Sequence, residues 1–313
     1  MPALKSPHPL LYATRPGSLP ARFRRERVLL VGCGDIGLRV AGLLRGRVRL
    51  LALTSSAARV QVLRDRGITP LLGNLDAPAS LRRLSGLATR VVHLAPPPET
   101  SQTDPRTQAL MRVLRLRSQP ESLVYGSTSG VYGDLQGEIA TEIRAVSPYT
   151  TRAKRRIDAE SQVRHFARVT RVPSAILRIP GIYAPNRVGG TPRERLLRGT
   201  PLLCAEDDVY TNHIHADDLA RACVAALWRG APQRIYNAND DTCLKMADYF
   251  ELAADLYGLP HPERLTRAEA QQRLPLALLS FMSESRRMDN TRLKKELRLR
   301  LRYPTVVQGL LGS

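Results

Sequence analysis

The sequence predicts an α/β protein: a doubly wound parallel sheet followed by a smaller, mostly helical C-terminal portion. Three observations predict it. Short β-rich runs alternate with segments of helical period, a Gly-x-Gly-x-x-Gly turn joins the first such strand to the first such helix, and the alternation loosens after Ile179. Strands alternating with helices require right-handed crossovers, which place the strands parallel and cover both faces of the sheet.

Taken in order, residues 1–26 combine five prolines with a basic end and no apolar periodicity, which reads as a flexible basic tail. From Arg27 the strand candidates are "RVLLVG", "VRLLALT", "ITPLL", "RVVHLA", "SLVYGS" and "SAILRIP", with helical periods over Ile36–Leu44, Ala57–Arg66 and Asp104–Leu116 between them. This assigns residues 27–180 to the doubly wound domain and residues 181–313 to a smaller C-terminal cap. The cap opens with a Pro/Gly/Arg-rich passage, Pro180–Pro201, and continues through "HIHADDLARACVAALW", one more strand "RIYNAN" and several helices. Trp228 is expected in the core.

Composition narrows the partners. A chain of 313 residues at 43% apolar content can bury a substantial core. Its 48 Lys+Arg against 28 Asp+Glu give +20, a field that draws in anions. The arginines are spread through nearly every segment and aromatics are only 5%, which argues against nucleic acid as the main partner. No apolar run approaches the roughly eighteen residues of a membrane span, and the start lacks a signal-peptide core, so a cytoplasmic protein without membrane contact is expected. Cys33, Cys204, Cys223 and Cys243 lack paired metal spacing and are expected as reduced thiols. No metal is expected either: Asp217 reads as a helix cap and Asp218 as a first-turn acid, which accounts for the aspartates of "HIHADD".

The glycine turn carries the strongest chemistry. Gly32 permits the tight turn, Gly34 lets the backbone approach a pyrophosphate, and Gly37 lets strand and helix pack closely. Ile36 opens the helix whose N-terminus faces the anion, and Asp35 must turn its charge away. This is a Rossmann-type dinucleotide site. About 20 positions on, where an NAD site would place an acid, stand Thr54, Ser55 and Ser56, with Arg59 following. Hydroxyls and a guanidinium suit a 2′-phosphate, so NADP is expected over NAD. Thr54 or Ser55 could equally cap the next helix.

Seven pieces in order, "LLVGCGDIG", "GNLDAP", "VVHLAPPP", "YGSTSGVYGD", "LRIPGIYAPNR", "HIHADDLA" and "RRMDNTRLKKEL", resemble the extended and atypical short-chain dehydrogenase/reductases, the group that contains the nucleotide-sugar epimerases and dehydratases. The resemblance runs from about Arg27 to Leu310. It implies that Asn74 and Leu75 lie beside the adenine, that Leu94 and Ala95 pass under the nicotinamide ribose, and that the Thr128 hydroxyl meets the reacting oxygen. It also implies that the cap, residues 181–313, is the substrate-binding portion, with the region of Arg187 and His213 holding the substrate.

The family's Tyr-x-x-x-Lys pair is where this sequence departs. Tyr149 and Lys154 are five apart, about 500° of helix, so they cannot share a face if both are helical. Anchoring instead on Ala159-Glu160 puts Arg152 and Arg156 at the tyrosine and lysine places; Arg156 could then hold a phosphate or ribose, but arginine cannot exchange a proton near neutral pH. Tyr149 in the loop before the helix could bend toward Thr128 and serve as the acid, or simply pack there. Two functions stay open. One is an NAD(P)-dependent oxidoreductase or epimerase/dehydratase-like enzyme that transfers hydride at a carbinol or carbonyl of an anionic small molecule. The other is a non-catalytic NADP-binding or redox-sensing protein. A homodimer is left as an open assembly state.

Overall fold

The computed structural model describes residues 25–311; the proline-rich tail expected over residues 1–26 lies outside them except for its last two positions. Glu26 already belongs to the fold. Its carboxylate takes the side-on fork of Arg90 at 2.8 and 3.0 Å and accepts from Trp228 Nε1 at 3.1 Å. Trp228 is accordingly a surface residue, 40% exposed with Arg90 stacked 5.0 Å from its ring, and not the core residue its size suggested. Its indole N–H needs an acceptor, and Glu26 supplies one at the rim.

Seven parallel strands form the sheet: β1 (Arg27–Val31), β2 (Arg49–Thr54), β3 (Thr69–Leu72), β4 (Arg90–His93), β5 (Ser122–Thr128), β6 (Ser174–Ile179) and β7 (Arg234–Asn237), in the order β7-β6-β5-β4-β1-β2-β3. The order reverses direction at β1, which opens a crevice beyond the carboxyl ends of β1 and β4. This is a Rossmann-like fold.

Because both faces are covered, β1 reads as an unbroken apolar run, and its alternate residues serve different cores. Val28 and Leu30 pack with helices α1 (Asp35–Leu44) and α6 (Ala216–Arg229). Leu29 and Val31 pack with helices α3 (Pro105–Leu114) and α4 (Thr151–Thr170). Each such side chain fully removed from water contributes about 1.5–3 kcal/mol.

Two elements beyond residue 180 return to this sheet. Strand β7 extends its edge, and α6 covers the same face as α1, so a boundary at 180 does not cut the sheet from the rest. What remains is a smaller cluster built on helix α7 (Met246–Tyr257), with Leu202, Leu203, Phe250 and Leu310 in its core. Helix α6 is capped by the His215 ring, whose Nδ1 accepts from the Asp217 N–H at 3.2 Å, so Asp217 is not the cap. Asp217 instead pairs with Arg39, and buried Asp218 accepts from the Arg302 and Tyr303 N–H groups at 2.9 and 2.8 Å, tying the C-terminal segment to α6. Among the described residues no helix is long and apolar enough to cross a membrane.

Candidate functional site

The glycine turn is dictated sterically. Gly32 has φ +89°, and a Cβ there would lie 2.3 Å from the Ala95 nitrogen, so no other residue fits beneath the β4 loop. A Cβ on Gly37 would come within 3.0 Å of the Gly32 oxygen, which is the close strand–helix approach the spacing predicts. At Gly34 a Cβ would meet nothing within 4 Å. That open space fronts the start of α1, where helix N–H groups favour an anion.

A groove of about 450 Å³ runs from this turn across the ends of β2, β3 and β4, and Gly32, Gly34, Thr54, Ser55, Arg59, Asn74, Leu75, Leu94 and Ala95 all line it. Arg59 reaches over the turn and donates from Nη2 to the Cys33 carbonyl at 2.7 Å. Neither Thr54 nor Ser55 caps the next helix, α2 (Arg59–Asp65); Ala58 stands there, and the Thr54 hydroxyl accepts from the Ser56 N–H at 3.2 Å. Asn74 turns its side-chain oxygen to the Asp76 N–H at 3.0 Å. Three residues of the turn stand behind the groove. Ile36 and Gly37 are buried, and Asp35 is neutralised by Arg39 and Arg187, each at 3.1 Å. The groove's size, its open Gly34 front and its guanidinium fit a dinucleotide.

A second cavity, of about 420 Å³, lies beyond the ends of β5 and β6, with Thr128, Arg152, Tyr183, Arg195, His213, Tyr249 and Arg286 among its walls. Thr128 ends β5 and its Oγ1 accepts weakly from the Gly130 N–H at 3.4 Å. Neighbouring Ser127 is committed elsewhere, donating to Glu160 at 2.6 Å. Helix α4 begins at the Thr150 cap, and Arg152, Arg156 and Glu160 follow along one side of it. Arg152 stacks 4.7 Å from the Phe281 ring at the cavity mouth. Arg156 donates to the Gly126 carbonyl at 2.8 Å and to the Tyr125 hydroxyl at 3.1 Å, and does not line the groove. Tyr149 is 80% exposed and lines neither cavity. Burial holds His213 down to about 4, so it is a neutral imidazole at pH 7, stacked 4.2 Å from Tyr249. Arg187, drawn to Asp35, stays outside this cavity.

The model of the NAD dependent epimerase/dehydratase family matches residues 28–238, well over half of the chain. The chain belongs to the NAD-dependent epimerase/dehydratase family.

Solved structures agree with that membership in fold. A conserved protein of unknown function from Silicibacter pomeroyi is 28% identical, with a TM-score of 0.76, covering 91% of this chain and 96% of its own. The UDP-glucose 4-epimerase of Thermotoga maritima, solved with UDP-glucose, is 17% identical with a TM-score of 0.73, covering 90% and 96%. MoeE5, solved with UDP-glucose and NAD, is 20% identical with a TM-score of 0.69, covering 90% and 95%. No curated protein matches the chain.

Several residues of this family member's site were not singled out in the sequence. Cys33, Asp76 and Arg106 also line the groove, with Arg106 held to Asp76 at 2.6 and 2.7 Å. Their adjacency to the glycine turn and to Asn74 was the available signal. Glu284 and Arg286, which meet at 2.8 Å in the second cavity, were not singled out either; Arg286 opens the piece "RRMDNTRLKKEL", but that piece lies far in sequence from the strands of the sheet and gave no hint of the cavity.

Proposed function

We propose that the chain is an NADP-dependent oxidoreductase of the epimerase/dehydratase type that acts on a carbinol or carbonyl carbon of an anionic small molecule. The observation that carries this reading is the arrangement of two cavities beyond the carboxyl ends of the strands. One is shaped for a dinucleotide at the switch point, and the other is lined by Thr128 and three arginines, beyond the next strands. NADP would be held by the glycine turn and Arg59, and when bound it supplies or accepts the hydride. Thr128 offers a hydroxyl to the reacting oxygen. Arg152 provides a fixed positive charge near it, and neutral His213 a hydrogen bond. The proton-transfer role that the family resemblance assigns to a tyrosine does not fall to Tyr149 in this reading, since its side chain stands in solvent.

That same exposure favours one second reading, a dinucleotide-binding protein without turnover. The two separate in one experiment. Thermal-shift titrations with NADPH and NADH, on native protein and Arg59→Ala, are followed by NADPH-oxidation assays against oxo acids and, for UDP-sugars, whose carbinols must lose hydride, by NADP+-reduction assays with analysis of the sugar product. Preference for NADPH that Arg59→Ala loses by about tenfold or more, with turnover, supports the enzyme. Binding without turnover supports the second reading. Equal NADH and NADPH binding, unaffected by Arg59→Ala, overturns the NADP assignment.

A further inference from the structure

The amino end of the sheet, opposite the two cavities, collects exposed arginines. In a doubly wound fold every crossover returns the chain to that end before the next strand begins. The connections into β2, β4, β5, β6 and β7 each leave an exposed arginine there: Arg47, Arg83, Arg117, Arg171 and Arg229. In all but the last a second exposed arginine stands within three residues.

Contacts between the connections hold these residues on one surface. The Ser85 hydroxyl donates to the Leu116 carbonyl at 3.0 Å, and a Cβ on Gly86 would lie 3.2 Å from the Arg117 Cβ, so the turns carrying Arg83 and Arg117 touch. The Arg49 N–H donates to the Glu26 carbonyl at 2.8 Å, and the Ser122 hydroxyl to the Leu227 carbonyl at 2.8 Å. These bonds join the starts of β1 and β2, and the start of β5 to the end of α6.

Pairing separates this surface from the rest. Around the cavities carboxylates take up several arginines: Asp76 holds Arg106, Asp35 holds Arg39 and Arg187, and Glu284 holds Arg286. At the amino end Arg90 takes both Glu26 and Glu121, and among the described residues no carboxylate pairs with any of the five exposed arginines. A cation in the last turn of a helix offsets its dipole. Arg47 and Arg117, however, lie beyond the ends of α1 and α3.

The shape and chemistry of the surface select a partner. The strands from β7 to β2 span about 24 Å at about 4.8 Å per strand, so the charges form an extended band. Guanidinium forks match phosphate oxygens. A single strand would need free rings to stack its bases, and Trp228 at the rim is stacked by Arg90 with its N–H on Glu26. A membrane surface would need a cluster of apolar side chains to insert, and Leu116 and Val169 are exposed singly among the arginines. Charges spread along the sequence argued against nucleic acid; folding gathers them, because successive crossovers end on one side of the sheet.

We propose that the amino end of the sheet binds a nucleic-acid duplex through its phosphate backbone, without reading bases and apart from the dinucleotide groove. This function does not rest on the oxidoreductase reading.

The test is fluorescence anisotropy of the full chain with a labelled DNA duplex of about 24 base pairs, over about 50 to 200 mM salt, with phosphatidylglycerol vesicles as the rival probe. Five phosphate contacts predict a slope of about −4.5 in log K against log salt, a fall of about 500-fold over that range. Arg83→Gln/Arg117→Gln should make the slope shallower by about 2 and weaken binding by about 10- to 100-fold. Its melting temperature and NADPH response should match those of the native protein, since neither side chain has a hydrogen-bond or ion-pair partner among the described residues. The control Arg193→Gln/Arg198→Gln removes the same charge from α5 (Arg193–Leu197) and its cap, beside the second cavity, and should bind the duplex within about twofold of native. Saturating NADPH should leave duplex binding unchanged. The proposal is overturned if the duplex does not bind at about 50 mM salt, or if Arg83→Gln/Arg117→Gln binds as native does. It is equally overturned if the control loses as much, if NADPH displaces the duplex, or if vesicles and not the duplex bind through these arginines.

Discussion

Glu160 and Arg178, each only 2% exposed, face one another in a side-on pair at 2.8 and 3.1 Å between α4 and β6. The pair fixes the rotation of the helix. With Glu160 turned into the sheet, Arg156 and Arg152, four and eight residues earlier, fall on the side that faces Gly126 and the second cavity, and Tyr149 is left before the cap. Removing Glu160 leaves Arg178 as an uncompensated buried charge, whereas removing Arg178 leaves Glu160 with Arg164 at 3.2 Å and the Ser127 hydroxyl at 2.6 Å. Glu160→Met should therefore cost about 3–5 kcal/mol in urea unfolding, while the double variant Glu160→Met/Arg178→Met should cost clearly less. Equal losses would mean that packing, and not charge pairing, sets the register.

The same register predicts kinetics. Tyr149→Phe should leave cofactor affinity and any turnover within about twofold of native, since its hydroxyl stands in solvent. Arg152→Met should lower kcat by about 10- to 100-fold if its charge acts on the reacting oxygen. A large loss in Tyr149→Phe would show that the loop before α4 folds inward during the reaction.

The roles of the first two glycines of the turn can be separated. Gly32→Ala should destabilise the protein by roughly 2–4 kcal/mol, because its Cβ would overlap Ala95 and its φ is positive. Gly34→Ala meets open space and should leave the melting temperature almost unchanged, yet weaken NADPH binding where the phosphates approach. The check is a melting curve with and without NADPH. A Gly34→Ala protein that binds normally would place the pyrophosphate elsewhere.

Asp240 predicts a pH effect of defined sign. Burial raises its carboxyl from 3.8 to about 7, and Oδ2 has no partner. The folded state then holds more protons than the unfolded one between those values. Its stabilising contribution is present below about pH 4 and is lost as pH rises through about 7. Asp240→Asn keeps an acceptor for the Thr242 N–H, at 2.9 Å in the native protein, and removes the titration. The variant should gain about 2–4 kcal/mol on the native protein between pH 5 and pH 8.5. A pH-independent difference would mean that Asp240 is already ionised at pH 5. His213 and His93, lowered by burial to about 4 and about 3, act in the opposite sense. Their contribution is lost as pH falls below about 6.5, in native protein and variant alike.

The sequence by itself determined the sheet and the glycine turn at its switch point. Apolar runs such as Val28–Val31 and the spacing Gly32-x-Gly34-x-x-Gly37 are local patterns with one steric solution, so strand, turn and helix follow from a dozen residues. Arg59, too, was legible, because it follows β2 at a distance the turn of the chain sets. The tertiary structure decided the rest. Whether Tyr149 or Arg152 faces the cavity depends on a pairing between Glu160 and Arg178, eighteen residues apart and on different elements. That Arg195 Nε and Nη2 have no partner, while Arg187 is spent on Asp35, depends on which carboxylates folding brings within reach. Composition records that arginines are in excess. Only packing shows which one has been left without an acceptor.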